Sequence, residues 1–461
     1  MSGQRWRASD DVATAALTMV AVLGALGTTL VLRDHAGARD LNPVLAVVLV
    51  LTSSRFAHDS VRDRFTAAGE VVLLAPAATG VGWLIVHQEA LGQTLLVLGL
   101  SLGIYTRRFG PLVRKAGRMI ALPFLALLVA PVPVPVAGSG GFGSVLLWSP
   151  VTAGIALAWS TAVAVLADRG RSDSPSSPPV RRSRRRLDAP TRMALQTAAA
   201  LGAACALGHL LFGQRWAWTL LSAFVVLSGN RGRGDVLHKA GLRLVGAGVG
   251  TVGATLVAGH ILRGDRLALV MLFIVMALAL VLRGRSYAFW AAGVTAMLAL
   301  LHGYYGESGD GLLRERLLGV LLGCAIGVAA AWLVTPVRSS DVLRLRIADC
   351  LAALSDDLGD TPPAPARFPA ALARLDELHP IWRAHARLPN RPTTRPLDAI
   401  TALRRIHPLP DSPAERRRLR AAVGHTCRAL ARPHDPTPPD LTPELITVLT
   451  AIQRRVLPNP E

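Results

Sequence analysis

The sequence predicts an all-α polytopic membrane protein, with about twelve transmembrane helices in two parallel six-helix repeats, followed by a C-terminal cytosolic helical domain. The first observation is composition, because 51% of residues are hydrophobic, only 17% are charged and the mean hydropathy is +0.40. The second is that the apolar residues gather in blocks of roughly 14 to 24 residues that nearly lack charge, close to the length that crosses a bilayer. The third is that basic residues gather in alternate loops between these blocks.

The apolar blocks form two sets of six. The first set spans 12–32, 41–54, 66–86, 91–105, 118–136 and 144–167, and the second spans 192–212, 215–229, 244–262, 267–282, 287–302 and 316–335. The two sets are offset by about 170 to 180 residues, which predicts an internal repeat. Because six crossings return the chain to the same side, the copies are expected to be parallel.

These blocks define four predicted domains. Residues 1–167 form the first repeat and 191–336 the second. Between them, 168–190 contains SDSPSSPP and RRSRRR, which is typical of a basic, Pro/Ser-rich cytosolic linker. After Pro336 the chain alternates amphipathic stretches with proline-rich breaks, so 337–461 is predicted to be a cytosolic helical tail.

Loop charges predict that both termini are cytosolic. One set of alternate loops and block ends is rich in arginine and lysine, at Arg5, Arg7, Arg55, Arg62, Arg64, Arg107, Arg108, Arg114, Lys115, Arg118, Arg231, Arg233, Lys239, Arg243, Arg283 and Arg285. The opposite set is poorer, with Arg33, Arg39, Arg215, Arg263, Arg266, Arg314 and Arg316. Basic loops remain in the cytosol, which sets this orientation. The high content of Ala, Arg, Gly and Pro indicates a GC-rich bacterial source, so the predicted location is a bacterial plasma membrane.

Several function classes lack sequence support. The net charge of +20 is explained by topology, and no nucleic acid partner is expected. The four cysteines form no CxxC pair or His/Cys cluster, so neither a disulfide framework nor a metal site is predicted. Because no nucleotide-binding or catalytic motif is found, we expect no cofactor, no catalytic residues and no enzymatic activity.

The second repeat resembles the fusaric acid resistance, or aromatic acid exporter, family. The resemblance lies in RWAWTLLSAFVVLSGNRGRGDVLHKAGLRLVGAGVGTVGATL at 215–256, and it continues through 283–301 and 314–336, where Arg-Leu-x-Gly opens a small-residue helix. It is weaker over 10–170 and hardly covers the tail. It implies an integral membrane transporter that exports aromatic carboxylic acids and other hydrophobic anions. The linker here is shorter than the large middle segment usual in that family.

Candidate substrate residues cluster around the second repeat. The second and eighth blocks are short and occupy equivalent places, which predicts either discontinuous helices around a central site or ordinary tilted spans. Arginine favours bidentate carboxylate binding, and aromatic side chains favour stacking. Lipid headgroup contact and an interfacial aromatic belt are the alternatives. The predicted substrate-binding residues are Trp218, Ser228, Asn230, Arg243, Arg285, Tyr287 and Trp290.

Two carboxylates are candidates for proton coupling. Glu70 lies inside the third block, where a carboxylate is costly unless it is paired or protonated. It is predicted either to carry a proton or to pair with Arg62 or Arg64 at the interface. Asp235, near the start of the ninth block, is the second candidate.

Glycines recur at helical spacing in the ninth and twelfth blocks. Small residues let membrane helices approach closely, so these positions are predicted to pack helices or to form a sliding, substrate-lining face. They are Gly246, Gly250, Gly253, Gly319, Gly323 and Gly327.

The predicted function is therefore proton-coupled export of small hydrophobic or aromatic carboxylates. The alternatives are an anion channel on the same scaffold and a non-transporting membrane scaffold that presents its tail. Expected partners are the lipid bilayer and a small organic anion, with a homo-oligomer and a cytosolic partner of the tail as further possibilities.

Overall fold

A computed structural model describes residues 2–35, 40–53, 61–109, 141–167, 189–229, 232–258, 266–304, 310–335, 339–359 and 367–379, with single positions within 117–127 and 400–424. Two compact units are distinguished. The first, which we call the membrane unit, lies within Met1–Asp173, Arg184–Gly229 and Lys239–Pro336. The second, which we call the tail unit, lies within Ser174–Ser183, Asn230–His238 and Val337–Glu461.

Helices are the regular secondary structure of the described residues, which contain no strand, so the all-α prediction is confirmed. The helices are α1 (Ser2–His35), α2 (Pro43–Ser53), α3 (Val61–His87), α4 (Glu89–Tyr105), α5 (Gly141–Ala167), α6 (Ala189–Phe212), α7 (Ala217–Leu227), α8 (Arg233–Ala258), α9 (Arg266–Leu282), α10 (Tyr287–Tyr304), α11 (Asp310–Leu333), α12 (Ser339–Asp357) and α13 (Phe368–Asp376).

Four described segments are long and apolar enough to cross a membrane. They are Val12–His35, Gly141–Leu166, Pro190–Arg215 and Leu313–Leu333. Shorter apolar segments lie in α3, α4, α7, α9 and α10. A membrane protein is therefore supported, whereas twelve crossings and two parallel six-helix repeats stay predictions.

Exposed apolar side chains on α8 support the membrane location. Val245, Val249, Val252 and Leu256 are 61%, 62%, 61% and 72% exposed. Their spacing of three or four residues places them on one helix face. Such a face is unfavourable in water and favourable in hydrocarbon.

Two apolar clusters organise the membrane unit. One joins α1, α2, α3 and α5 through Ala25, Leu49, Val71 and Ala153. The other includes Leu96 of α4, Leu201 of α6 and Leu220 of α7, with neighbouring residues. These clusters hold the short helix α7 among longer helices.

Helices α3 and α8 begin earlier than their apolar blocks. From the apolar blocks, the helices were predicted to start at residues 66 and 244. In the structure, α3 begins at Val61 and α8 begins at Arg233. The reason is that hydropathy detects only the apolar turns, while backbone hydrogen bonds continue through polar turns at either end. Consequently Arg243, predicted to precede a span, lies ten residues inside α8.

The tail unit has an apolar core of its own. Ile347 and Leu354 of α12 are buried with Phe368 and Leu375 of α13. Asp357 ends α12, is 1% exposed and accepts hydrogen bonds from the backbone N–H groups of Arg367 and Phe368, at 2.8 and 2.7 Å. A carboxylate from one helix therefore caps the beginning of the next.

Candidate functional site

A buried arginine on α8 is the first element of the candidate site. Arg243 is 7% exposed, and its Nε and Nη2 atoms each lie 3.3 Å from the Ser222 hydroxyl of α7. The sequence places Arg243 directly before an apolar span, and the structure shows that the helix containing it begins ten residues earlier, at Arg233. The contact is to a neutral hydroxyl, so among the described residues no carboxylate forms an ion pair with Arg243.

A second buried arginine lies on α11. Arg316 is 2% exposed, and its Nη1 atom donates a hydrogen bond of 3.3 Å to the Thr295 carbonyl of α10. Its guanidinium carbon lies 4.2 Å from the centroid of the Trp218 ring of α7. This stacking is a cation–π contact, which leaves the N–H donors of the guanidinium in its own plane.

Sequence reasoning missed Arg316 as a site residue. It was grouped with the arginines of the opposite loops, because it stands at the first residue of its apolar block. The signal was present, since Arg-Leu-x-Gly occurs at 243–246 and again at 316–319. In both copies the arginine and the glycine three positions later lie near one helix face.

Glycines bring the helices around these arginines into close contact. A Cβ atom on Gly323 would lie 2.2 Å from the Thr219 carbonyl oxygen of α7, and one on Gly250 would lie 2.3 Å from the Ala292 carbonyl oxygen of α10. Gly246 and Gly319 are similarly close to α10 and α7. Gly327 makes an ordinary contact at 3.5 Å.

Gly253 differs from the other predicted packing glycines. A Cβ atom there would meet nothing within 4 Å, so Gly253 makes no close helix contact within the described residues. The packing prediction therefore does not hold at this position. The spacing along the helix was suitable, but which neighbour stands opposite is decided by the tertiary structure.

Two buried hydroxyls lie among these helices. Thr219 of α7 is fully buried, and its Oγ1 atom has no hydrogen-bond partner among the described residues. The Tyr287 hydroxyl at the start of α10 is likewise buried without a partner in that part of the chain. An unsatisfied buried hydroxyl is costly, so both are suited to contact a polar ligand group.

The remaining predicted residues lie at helix ends. Ser228 is the C-terminal cap of α7, and its carbonyl accepts a 3.1 Å hydrogen bond from Lys239. Arg285 is exposed and precedes α10. The guanidinium carbon of Arg283 lies 5.6 Å from the centroid of the Trp290 ring. The structure therefore does not bring these residues to the guanidinium of Arg316.

The predicted proton-coupling residues are only partly described. Asp235 lies in the first turn of α8 and is 6% exposed. The side chain of Glu70 and the whole of Asn230 lie outside the described residues. Among the described residues no three His, Cys, Asp or Glu side chains converge as metal ligands.

The family comparison covers this same region. Residues 200–330 match the family model described as fusaric acid resistance protein-like. The chain carries a fusaric acid resistance protein-like domain. Within it lie Trp218, Arg243, Tyr287 and Arg316, so the family resemblance inferred from the second repeat is confirmed. No curated protein and no solved structure matches the chain.

The fusaric acid resistance protein-like domain supports membrane transport as the general activity. The match spans less than a third of the chain and leaves the first repeat and the tail uncovered.

Proposed function

We propose that the chain is a secondary transporter that exports small hydrophobic or aromatic carboxylates across a bacterial plasma membrane, driven by protons. The observation that carries this proposal is the pair of buried arginines, Arg243 and Arg316, in the fusaric acid resistance protein-like domain. A guanidinium inside a membrane protein is costly, and such groups mark ion or substrate pathways.

The substrate charge follows from the donors that Arg243 offers. Burial of a cation against a neutral hydroxyl recovers little of its hydration energy. A carboxylate would supply the missing charge and form charge-assisted hydrogen bonds, which are about twice as strong as neutral ones. An organic anion is therefore the ligand that this environment favours.

The apolar part of the substrate follows from Trp218. Its indole ring lies 4.2 Å from the Arg316 guanidinium, so an aromatic surface stands beside a carboxylate-binding group. Aromatic acids combine the two features that this pair of side chains recognises.

Proton coupling is supported by titratable side chains and by the sequence. It rests on Asp235, which is buried in the first turn of α8, on Glu70 inside the third apolar block, and on the lack of a nucleotide-binding motif in the sequence. The cytosolic termini rest on the distribution of arginine in the loops. Export rests on the family resemblance, and the bacterial source rests on the high content of Ala, Arg, Gly and Pro.

The test is transport of radiolabelled benzoate by the full-length protein in proteoliposomes. We expect uptake that depends on an imposed pH gradient, and Arg243→Gln should raise KM by about 10- to 100-fold, the worth of a charged hydrogen bond of about 1.5–3 kcal/mol. Arg314→Gln is the matched control, because Arg314 is exposed on α11.

Three results would contradict the proposal. Absence of benzoate transport by the purified wild-type protein would reject the substrate class. Uptake that is indifferent to collapse of the pH gradient would reject proton coupling. Steady benzoate currents across a planar bilayer would show an anion channel instead of a transporter.

A further inference from the structure

The two buried arginines occupy equivalent places in two helical hairpins. The first hairpin is α7 with α8, and the second is α10 with α11. Arg243 contacts Ser222 and Arg316 contacts Thr295, and in each pair the partners are 21 positions apart. Arginine and hydroxyl residue both shift by 73 positions from the first hairpin to the second.

The glycine contacts are also related by a shift of 73 positions, but each joins a helix of one hairpin to a helix of the other. A Cβ atom added to Gly250 of α8 would lie 2.3 Å from the Ala292 carbonyl oxygen of α10. A Cβ atom added to Gly323 of α11 would lie 2.2 Å from the Thr219 carbonyl oxygen of α7. The second helix of each hairpin therefore packs against the first helix of the other: α8 against α10, and α11 against α7.

The order of these contacts shows how the helices run. Gly319, Gly323 and Gly327 meet successively later residues of α7, so α11 and α7 are parallel. Gly246 and Gly250 likewise meet successively later residues of α10. Within the first hairpin the direction is opposite, since Lys239 meets Ser228 and Arg243 meets Ser222. The second hairpin therefore runs inversely to the first.

An inverted pair of hairpins has a pseudo-two-fold axis perpendicular to its helices. When such helices cross a bilayer, this axis lies in the membrane plane and relates one face to the other. Transporters with inverted repeats alternate between states in which a central site opens to either side. Helix α9 lies between the two hairpins in sequence. One crossing by α9 lets the second hairpin start from the opposite side of the membrane, as inversion requires.

We propose that the two hairpins form an inverted repeat in which Arg243 and Arg316 are equivalent carboxylate-binding stations, each serving one face of the membrane. This inference rests on the proposed function and names its site. Trp218 and Ser222 are four residues apart on α7, so the stations lie about 6 Å apart along that helix. With both termini cytosolic, Arg316 serves the outer face and Arg243 the cytosolic face.

The stations are alike in their arginines but differ in their surroundings. Trp218 and the unpartnered, fully buried Thr219 hydroxyl lie at the Arg316 station. Their counterparts in the other hairpin, 73 positions later, are Ala291 and Ala292. The Trp218 ring and the unpartnered Thr219 hydroxyl therefore have no counterparts at the Arg243 station, and preference for aromatic over aliphatic acids belongs to Arg316.

The test measures benzoate transport separately from each face, in proteoliposomes in which the full-length protein has one determined orientation. We expect Arg316→Gln to raise KM about tenfold or more from one face and Arg243→Gln to do so from the opposite face. Arg314→Gln should change neither KM. Arg243→Lys and Arg316→Lys should recover part of the affinity, and monodisperse elution shows that each variant is folded.

Selectivity supplies a second measurement. Trp218→Leu should reduce the preference for benzoate over cyclohexanecarboxylate from the Arg316 face and leave it unchanged from the Arg243 face. If folded arginine variants lose affinity from the same face, or only lower Vmax, the two-station inference is wrong while transport stands. If the wild-type protein transports neither acid, the proposed function itself fails.

Discussion

Substitution of Gly323 by alanine tests how closely α7 and α11 are packed. The added Cβ atom would lie 2.2 Å from the Thr219 carbonyl oxygen and 2.8 Å from the Ser222 Cβ, whereas ordinary contacts begin near 3.4 Å. Both neighbours belong to one helix, and the closest atom is backbone, so no rotamer change relieves the overlap. The helices must separate by about 1 Å, which we expect to cost about 1–3 kcal/mol of unfolding free energy.

The assay is reversible denaturant titration of the purified protein in mixed micelles. Gly253→Ala is the matched control, because its Cβ would meet nothing within 4 Å and alanine favours a helix by up to about 1 kcal/mol. Gly250→Ala, the counterpart of Gly323 in the other hairpin, should destabilise as Gly323→Ala does. Equal stability of the Gly323→Ala and Gly253→Ala proteins would refute the close packing.

Three further predictions concern the ends of helices and the tail unit. Asp357→Ala removes the carboxylate that caps α13 and should lower the unfolding free energy of the tail unit by about 1–3 kcal/mol in chemical denaturation; unchanged stability would exclude a capping role. Burial raises the pKa of the Cys350 thiol to about 12. At pH 8 roughly one thiol in ten thousand is then ionised, so maleimide should modify Cys350 only when Asp357→Ala or denaturant opens the core; rapid labelling of the native protein would contradict this. Gln196→Leu removes two hydrogen bonds to the carbonyls of Val334 and Thr335, at 2.6 and 2.9 Å, and should increase hydrogen exchange at the end of α11. Gln93→Leu is the control, because the Gln93 side chain donates to Glu89 of its own helix.

The short helices show how far pattern reasoning reaches. The blocks at 41–54 and 215–229 are the short, matched ones in the sequence, and the helices within them, α2 and α7, are each 11 residues long. Asn42 precedes the first of them, and its side chain accepts a hydrogen bond from the backbone N–H of Leu45 at 3.1 Å. Local signals were sufficient here, because capping and helix length depend on neighbouring residues.

The arginines show where that reasoning stops. Arg243 and Arg316 both stand at the edge of an apolar block, as Arg283 and Arg314 do, and hydropathy treats all four alike. Only the folded chain separates them, because Arg243 and Arg316 are buried against other helices while Arg314 is exposed. Burial depends on the opposite helix, which is far away in sequence.

Composition and spacing alone were enough to indicate helices, a membrane environment and the family resemblance of the second repeat. Each of these depends on properties of consecutive residues: their hydropathy, their helical period and the order of glycines and arginines. The inverted pairing of two hairpins was decided only by the tertiary structure, because it depends on which glycine meets which carbonyl, and the paired residues are 42 and 104 positions apart in sequence. The same pairing brings Trp218 to Arg316, while a Cβ atom on Gly253 would meet none of the described residues within 4 Å.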